Sequence, residues 1–200
     1  MPQCQELTKL VAAHVTNLFI VYQKPVLVYH NVSHTQEVVD KCIEIAGNYT
    51  ITEKGLFILL VAAWFHDTGH LTGQPKNHEA RSILFMKEFM ALHNISQDTV
   101  AMIEQCIAST QLPSHPQFLL AKILCDADLY HLGTEEFFET DELVKKEFEL
   151  QNHFMPPNWK ESTLAMLKNH TYYTEYCRAK LTKGKLKNIR LLQELIDKKK

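Results

Sequence analysis

Leu56-Phe57-Ile58-Leu59-Leu60-Val61-Ala62-Ala63-Trp64-Phe65-His66-Asp67-Thr68-Gly69-His70 is the stretch that decides the fold. It runs apolar from Leu56 to Phe65 and then turns abruptly polar. The apolar part is too short to span a bilayer. It lacks the period-two alternation of a half-buried strand. It therefore reads as a helix buried on all sides. Burying His66 and Asp67 at the end of such a helix is costly unless something compensates their polarity. A divalent metal ion is one such compensation, because imidazole and carboxylate suit iron, manganese, zinc, cobalt or nickel.

Helical spacing recurs on either side of this stretch. Leu7, Leu10, Val11, Val15 and Leu18 form one apolar stripe, and Val38, Ile43, Ile45 and Ala46 belong to a second helix that Gly47 can stop. Thr50-Ile51-Thr52-Glu53 has the form of a capping box opening the buried helix. Gly69, Gly73 and Pro75 break the chain into a loop, and Asn77 is placed to cap the next helix. Ser96 caps another. After Pro113, Ser114 and Gln117 suggest a fresh start toward Leu119, a helix ended by Gly133, with Thr134 capping the one after. Pro156-Pro157 marks an irregular joint, and Ile189, Leu192, Leu195 and Ile196 lie on a long last helix. The chain thus reads as all-α, a single domain of roughly eight to ten helices over 1–200, with a C-terminal helical extension after about residue 157.

Bulk composition fits this picture. The chain has 200 residues, a formal net charge of −2 and 46% hydrophobic residues, enough for a sizeable core. This charge balance carries no nucleic-acid footprint, and the basic end Lys198, Lys199, Lys200 reads as a solvated helix terminus. Five cysteines, an odd number with no CxxC spacing, argue for reduced thiols in a cytoplasmic protein. His14, Thr16 and Asn17 interrupt the N-terminal apolar run, so neither a signal peptide nor a membrane anchor is expected. There is no GxxxxGK[ST] loop, no GxGxxG and no GxSxG, so P-loop, dinucleotide-binding and serine-hydrolase readings lack support.

Polar residues of one chemical kind gather in three places. Tyr29-His30-Asn31-Val32-Ser33-His34 is the first, Trp64 to His70 the second, and Cys125-Asp126-Ala127-Asp128-Leu129 the third. Adjacent residues do not share a helix face, but at a helix terminus the backbone can turn so that His66 and Asp67 converge on one ion. The plain alternative is a satisfied buried polar network.

The order His34, His66-Asp67, Asp128 resembles the HD superfamily of metal-dependent phosphohydrolases, whose fold is a helical bundle. Tyr29-His30-Asn31 followed by His34 also resembles the start of the site in cyclic-nucleotide phosphodiesterases, which share that fold. His78-Glu79 with Ser82, and Asp128-Leu129 with Gly133, are similar to small bacterial HD hydrolases. The resemblance extends over most of the chain. It implies His34, His66, Asp67 and Asp128 as metal ligands, with Asp128 preferred to Asp126 as the last. It implies His30 as a general acid, with a helix-capping or supporting role as the alternative. His70 stands beside the site; His30 or His70 can help the leaving group depart, and Asp67 or Asp128 can accept a proton. His78, Glu79, Arg81 and Lys76 are candidates for substrate contact.

The expected activity is metal-dependent hydrolysis of a phosphate ester by metal-bound water, at one divalent transition metal (Fe, Mn, Zn, Co or Ni), with a weak second ion such as Mg left open. By resemblance the substrate is a nucleotide or another phosphorylated small molecule. A homodimer is compatible with the sequence. The alternatives are a non-catalytic nucleotide-binding or regulatory module and a di-iron oxygenase. The oxygenase needs additional histidines, where this chain carries Thr110.

Overall fold

A computed structural model describes residues 2–22 and 24–198. It has nine α-helices, two short 3-10 segments and no strand among the described residues, so the chain is all-α as its sequence predicts. The chain divides into two compact units, residues 1–128 and 129–200.

The first unit holds α1 (Pro2–Val21), α2 (Val32–Ala46), α3 (Glu53–Phe65), α4 (His78–Ala91), α5 (Gln97–Ala108) and α6 (Leu119–Asp128). α3 is its centre, packed on α1, α2, α5 and α6. That placement follows from its composition: Leu59, Val61, Ala62, Ala63 and Phe65 are fully buried, so the helix is apolar all round and needs neighbours on every side. Its start differs from the capping box at Thr50. Thr52 is the N-cap, its hydroxyl accepting the Gly55 amide at 3.0 Å, so the cap falls two residues later.

Three other boundaries depart from the sequence reading. Asn77 lies in the left-handed region, φ 61°, and makes no side-chain cap, so it turns the chain into α4 by backbone conformation. α6 ends at Asp128, and Tyr130–Gly133 is a separate 3-10 turn. Thr134 then follows that turn instead of capping α7, which begins at Phe137. Ser96 caps α5 as expected, accepting the Thr99 amide, and Gly47 ends α2.

The second unit contains α7 (Phe137–Asn152), α8 (Trp159–Asn169) and α9 (Glu175–Asp197) around Leu132, Phe137, Leu164, Leu167, Leu192 and Ile196. Gly184 lets α9 lie directly on the 3-10 turn: a Cβ there would meet the Gly133 carbonyl oxygen at 1.9 Å. Asn188 locks the same contact by donating to the carbonyls of Leu132 and Thr134. Pro156 and Pro157 fall in the loop between α7 and α8. All five cysteines are free thiols. No helix among the described residues is long and apolar enough to cross a membrane.

Candidate metal centre

Three helix ends meet in the first unit to make the site. α2 begins just after Asn31, whose side chain accepts the Ser33 and His34 amides, and this cap fixes His34 in the first turn. α3 delivers His66 and Asp67 where its apolar run stops. α6 delivers Asp128 as its last residue.

The turn after α3 is held from several directions. Thr68 Oγ1 donates to the Phe65 carbonyl at 2.8 Å. Ser82, fully buried on α4, donates to the His66 carbonyl and accepts the Gly69 amide. Gly69 is required by close approach, because a Cβ would sit 1.9 Å from the His78 carbonyl oxygen. The loop beyond is clamped by Arg81, whose guanidinium donates to the carbonyls of Gly69, Lys76 and Gln74. Lys24 adds donation to the carbonyls of His70 and Gly73.

At the centre, one ligand atom from each of His34, His66, Asp67 and Asp128 lies within 4.8 Å of every other. His34 Nε2 is 3.2 Å from Asp128 Oδ1 and 3.5 Å from Asp67 Oδ2. His66 Nε2 is 3.2 Å from Asp67 Oδ2 and 3.6 Å from Asp128 Oδ1. Yet neither buried Nε2 has an aligned hydrogen-bond partner. The atoms therefore surround a common point instead of bonding one another. Ligand atoms held at about 2.1 Å from one ion stand about 3.0 to 3.4 Å apart in octahedral or tetrahedral arrangement, close to the spacing here. A satisfied polar network would show the aligned bonds that are missing. The group can therefore hold a metal ion.

Tautomer and charge point the same way. His66 Nδ1 lies 2.7 Å from the Ala63 carbonyl oxygen, so Nδ1 carries the hydrogen and the Nε2 lone pair faces the cluster. Burial alone would lower the His34 pKa, but the carboxylates of Asp128 and Asp67 outweigh it and raise it to about 9. His66 is raised well above its usual value against the same burial, chiefly by Asp67. Burial would raise Asp67, but His66 and His34 hold it well below the carboxylate range, and His34 and His66 do the same for Asp128.

His30, His70 and His78 form a second layer. His70 stacks on His30 with ring centroids 4.0 Å apart and planes 11° apart, and meets the His78 ring at 4.0 Å with planes tilted by 33°. His30 Nε2 is 4.0 Å from Asp67 Oδ2, and His78 Nε2 is 3.4 Å from Asp67 Oδ1. Glu79 is 3.6 Å from His78. His30, Asp67 and His70 also offer ligand atoms within 4.8 Å of one another. Burial first, then the nearby charge of His30, pushes His70 down to about 2, and neither of its ring nitrogens has a hydrogen-bond partner.

Asp126 is fully buried but does not reach the cluster group; Asp128 does. Lys76 is exposed, and Arg81 is engaged with loop carbonyls. Reasoning from sequence missed the structural parts played by Ser82, Arg81 and Lys24. Ser82 lies one turn after His78-Glu79, but its partners are backbone groups far along the chain, and spacing carries no signal for them.

The fold is shared in outline with a solved protein. The crystal structure of a predicted HD superfamily hydrolase from an uncultured Thermotogales bacterium superposes with a TM-score of 0.61 at 20% sequence identity, covering 96% of this chain and 92% of that one. This likeness is one of fold: the chain has the HD-domain architecture. No model of a known protein family and no curated protein sequence matches it.

Proposed function

We propose that the chain is a metal-dependent phosphohydrolase acting on a phosphate ester of a small molecule, a nucleotide in the first instance. The observation that carries this reading is the convergence of two buried imidazole Nε2 atoms and two carboxylate oxygens that stand at ligand spacing without bonding one another. His34, His66, Asp67 and Asp128 would hold one divalent transition ion. Such an ion, when bound, polarises a phosphoryl oxygen and acidifies water near neutral pH.

The chain's own groups supply the rest. Asp67 turns Oδ2 toward His34 and His66 and Oδ1 toward His78, so one carboxylate serves both layers and can accept a proton. His30 is half-buried at the edge of the cluster, placed to give a proton to a departing oxygen. His70 stacks behind His30 and orients it. His78 and Glu79 face the outer side of Asp67, where a substrate oxygen or a weakly held Mg ion would sit. Arg81 and Lys76 contribute by shaping and flanking the His70 loop. The free thiols favour a reducing cytoplasm. Thr110 donates its hydroxyl to the Ile107 carbonyl at 2.8 Å, so it is committed to backbone and supplies no imidazole for a di-iron oxygenase.

Elemental analysis of purified protein, followed by hydrolysis assays with phosphomonoester and phosphodiester substrates with and without added Mn, tests the reading. About one transition ion per chain and metal-dependent phosphate release are expected. An absence of metal binding on titration, or full metal loading without hydrolysis of any nucleotide or p-nitrophenyl ester, would overturn it.

A further inference from the structure

α1 is apolar on both faces from Leu10 onward. Between Leu10 and Tyr22 it carries no Asp, Glu, Lys or Arg. One face is accounted for. Val11, Val15, Leu18 and Phe19 are buried, and His14 turns inward onto Phe65 and Phe89. The other face is bare. Leu10 is 52% exposed, Ile20 68% and Val21 63%, and Ala13 and Asn17 between them are exposed too. On a helix these five positions fall within an arc of about 100°, so they form one strip.

Single exposed apolar residues are ordinary, but a charge-free strip of them marks an interaction surface. α3 has the same all-round apolarity and is covered on every side. The strip also continues onto α4 within the first unit. Tyr22 meets Phe85 with ring centroids 6.4 Å apart, and Leu84 beside it is 59% exposed.

The strip is complementary to itself. Along α1 it reads large, small, small, large: Leu10, Ala13, Asn17, then Ile20 with Val21. A second α1 laid antiparallel across it sets Ala13 against Asn17 of the second copy, and Leu10 against Ile20. Crossed helices are closest at their midpoint and splay toward their ends. Small side chains therefore fall where the axes approach, and large ones fill the splay. Outside the apolar part, Glu6 comes opposite Lys24. Glu6 is 66% exposed, and Lys24 bonds carbonyls but has no carboxylate partner among the described residues. The charges at the two ends thus match in the same register. A membrane surface fits less well, because a helix lying on one carries several Lys or Arg beside its apolar strip, and α1 has Lys9 alone.

We propose that two copies of this chain pair through α1, antiparallel about a two-fold axis between Ala13 and Asn17, with Leu10 of each packed on Ile20 and Val21 of the other. A standard interface takes about 800 Å² per partner. The α1 strip is about 17 Å long, and the α4 residues beside it supply width. The contact is of modest size, and a dimer of micromolar affinity is expected. The inference does not depend on the chemistry at the metal centre.

Sedimentation velocity and light scattering on the full chain, from micromolar to submillimolar concentration, test it. A monomer–dimer equilibrium is expected. Leu10→Glu and Ile20→Glu, both at exposed positions, should each raise the dimer dissociation constant at least about 100-fold with helical circular dichroism unchanged, because each places a carboxylate in the contact twice. Lys183→Glu, on the exposed side of α9, should leave it unchanged. Asn17→Cys should be cross-linked to its counterpart by a short bismaleimide. The parent should not, since its half-buried Cys4 falls about 17 Å along α1 from the axis and its other thiols are buried. A chain that stays monomeric at submillimolar concentration overturns the proposal, as does a dimer indifferent to Leu10→Glu and Ile20→Glu or one that Asn17→Cys fails to cross-link. Monomers that sediment with phosphatidylserine vesicles, and cease to in the same two variants, would make the strip a membrane face and overturn it as well.

Discussion

Ser82 Oγ donates to the carbonyl of His66 at 2.6 Å, so the helix after the His-Asp turn fixes the turn from behind. The same hydroxyl accepts the Gly69 amide at 2.8 Å. Ser82→Ala leaves two buried backbone groups unpaired, at a cost of about 2 to 4 kcal/mol. Urea denaturation should show a stability loss of that size. Gly69→Ala should be worse, since its Cβ must displace the His78 backbone. A Ser82→Ala protein as stable as the parent would mean that these bonds do not hold the turn.

The two aspartates near the end of α6 separate by position. Asp128 Oδ1 faces both His34 and His66, whereas Asp126 is buried outside the cluster group. Asp128→Asn and Asp67→Asn should each lower metal affinity at least about 100-fold while circular dichroism stays helical, because each replaces an anionic ligand by a neutral amide. Asp126→Asn should retain the ion. Metal content measured on the three variants decides the assignment; loss in Asp126→Asn with retention in Asp128→Asn would reverse it.

These positions also show what was legible in the sequence. The apolar run ending in His66-Asp67 had to be a buried helix, and α3 is one because no other element can hide apolar residues on every side. The three polar clusters were visible as residue types set against apolar neighbours, and three of the helix ends bring them together. The exact starts of α3 and α7 were not legible, since Thr50 and Thr52 offer equivalent hydroxyls ahead of α3, Thr134 offers one ahead of α7, and only tertiary packing decides which is used. The clamping of the His70 loop was hidden for a different reason. Arg81 and Lys24 act on backbone carbonyls, which every residue possesses.

Protons would compete with a metal ion for the cluster, which sets a pH dependence. The folded His34 is raised to about 9, from an ordinary value of 6.5, by Asp128 and Asp67 against the effect of burial. A raised folded pKa contributes stability that is complete below 6.5 and lost as pH climbs through about 9. His66 and His78 are shifted in the same direction. His70, pushed down to about 2, acts in the opposite direction, but its effect fades within about one pH unit above the unfolded value of 6.5. Metal-free protein should therefore lose thermal stability from pH 6.5 to 8.5, while its metal affinity rises by up to about tenfold per pH unit for each proton displaced. Melting scans and competitive chelator titrations across that window measure both. Stability that rises with pH in the metal-free chain would contradict the charge arrangement.

His30 and His70 share a stack, and on the proposed reading only His30 moves a proton. His70 is buried, held neutral, and stacked on His30 at 4.0 Å, with the His78 ring tilted by 33° against it at 4.0 Å. A neutral imidazole that loses its one hydrogen becomes an imidazolate, so His70 is a poor acid at neutral pH. What it offers is a flat surface that sets the plane of His30, whose Nε2 lies 4.0 Å from Asp67. His30→Ala should lower turnover by about 10² to 10⁴ without loss of metal, the usual worth of a positioned acid. His70→Phe keeps a ring in the stack and drops both nitrogens, so it should retain turnover within about tenfold of the parent and leave the acidic and basic limbs of the pH–rate profile in place. Steady-state kinetics with a p-nitrophenyl ester and with a poor-leaving-group ester distinguish the two roles. The His30→Ala deficit should be larger for the poor leaving group, which needs the proton more. Equal damage from His70→Phe on that substrate would make His70 the proton donor and His30 its support.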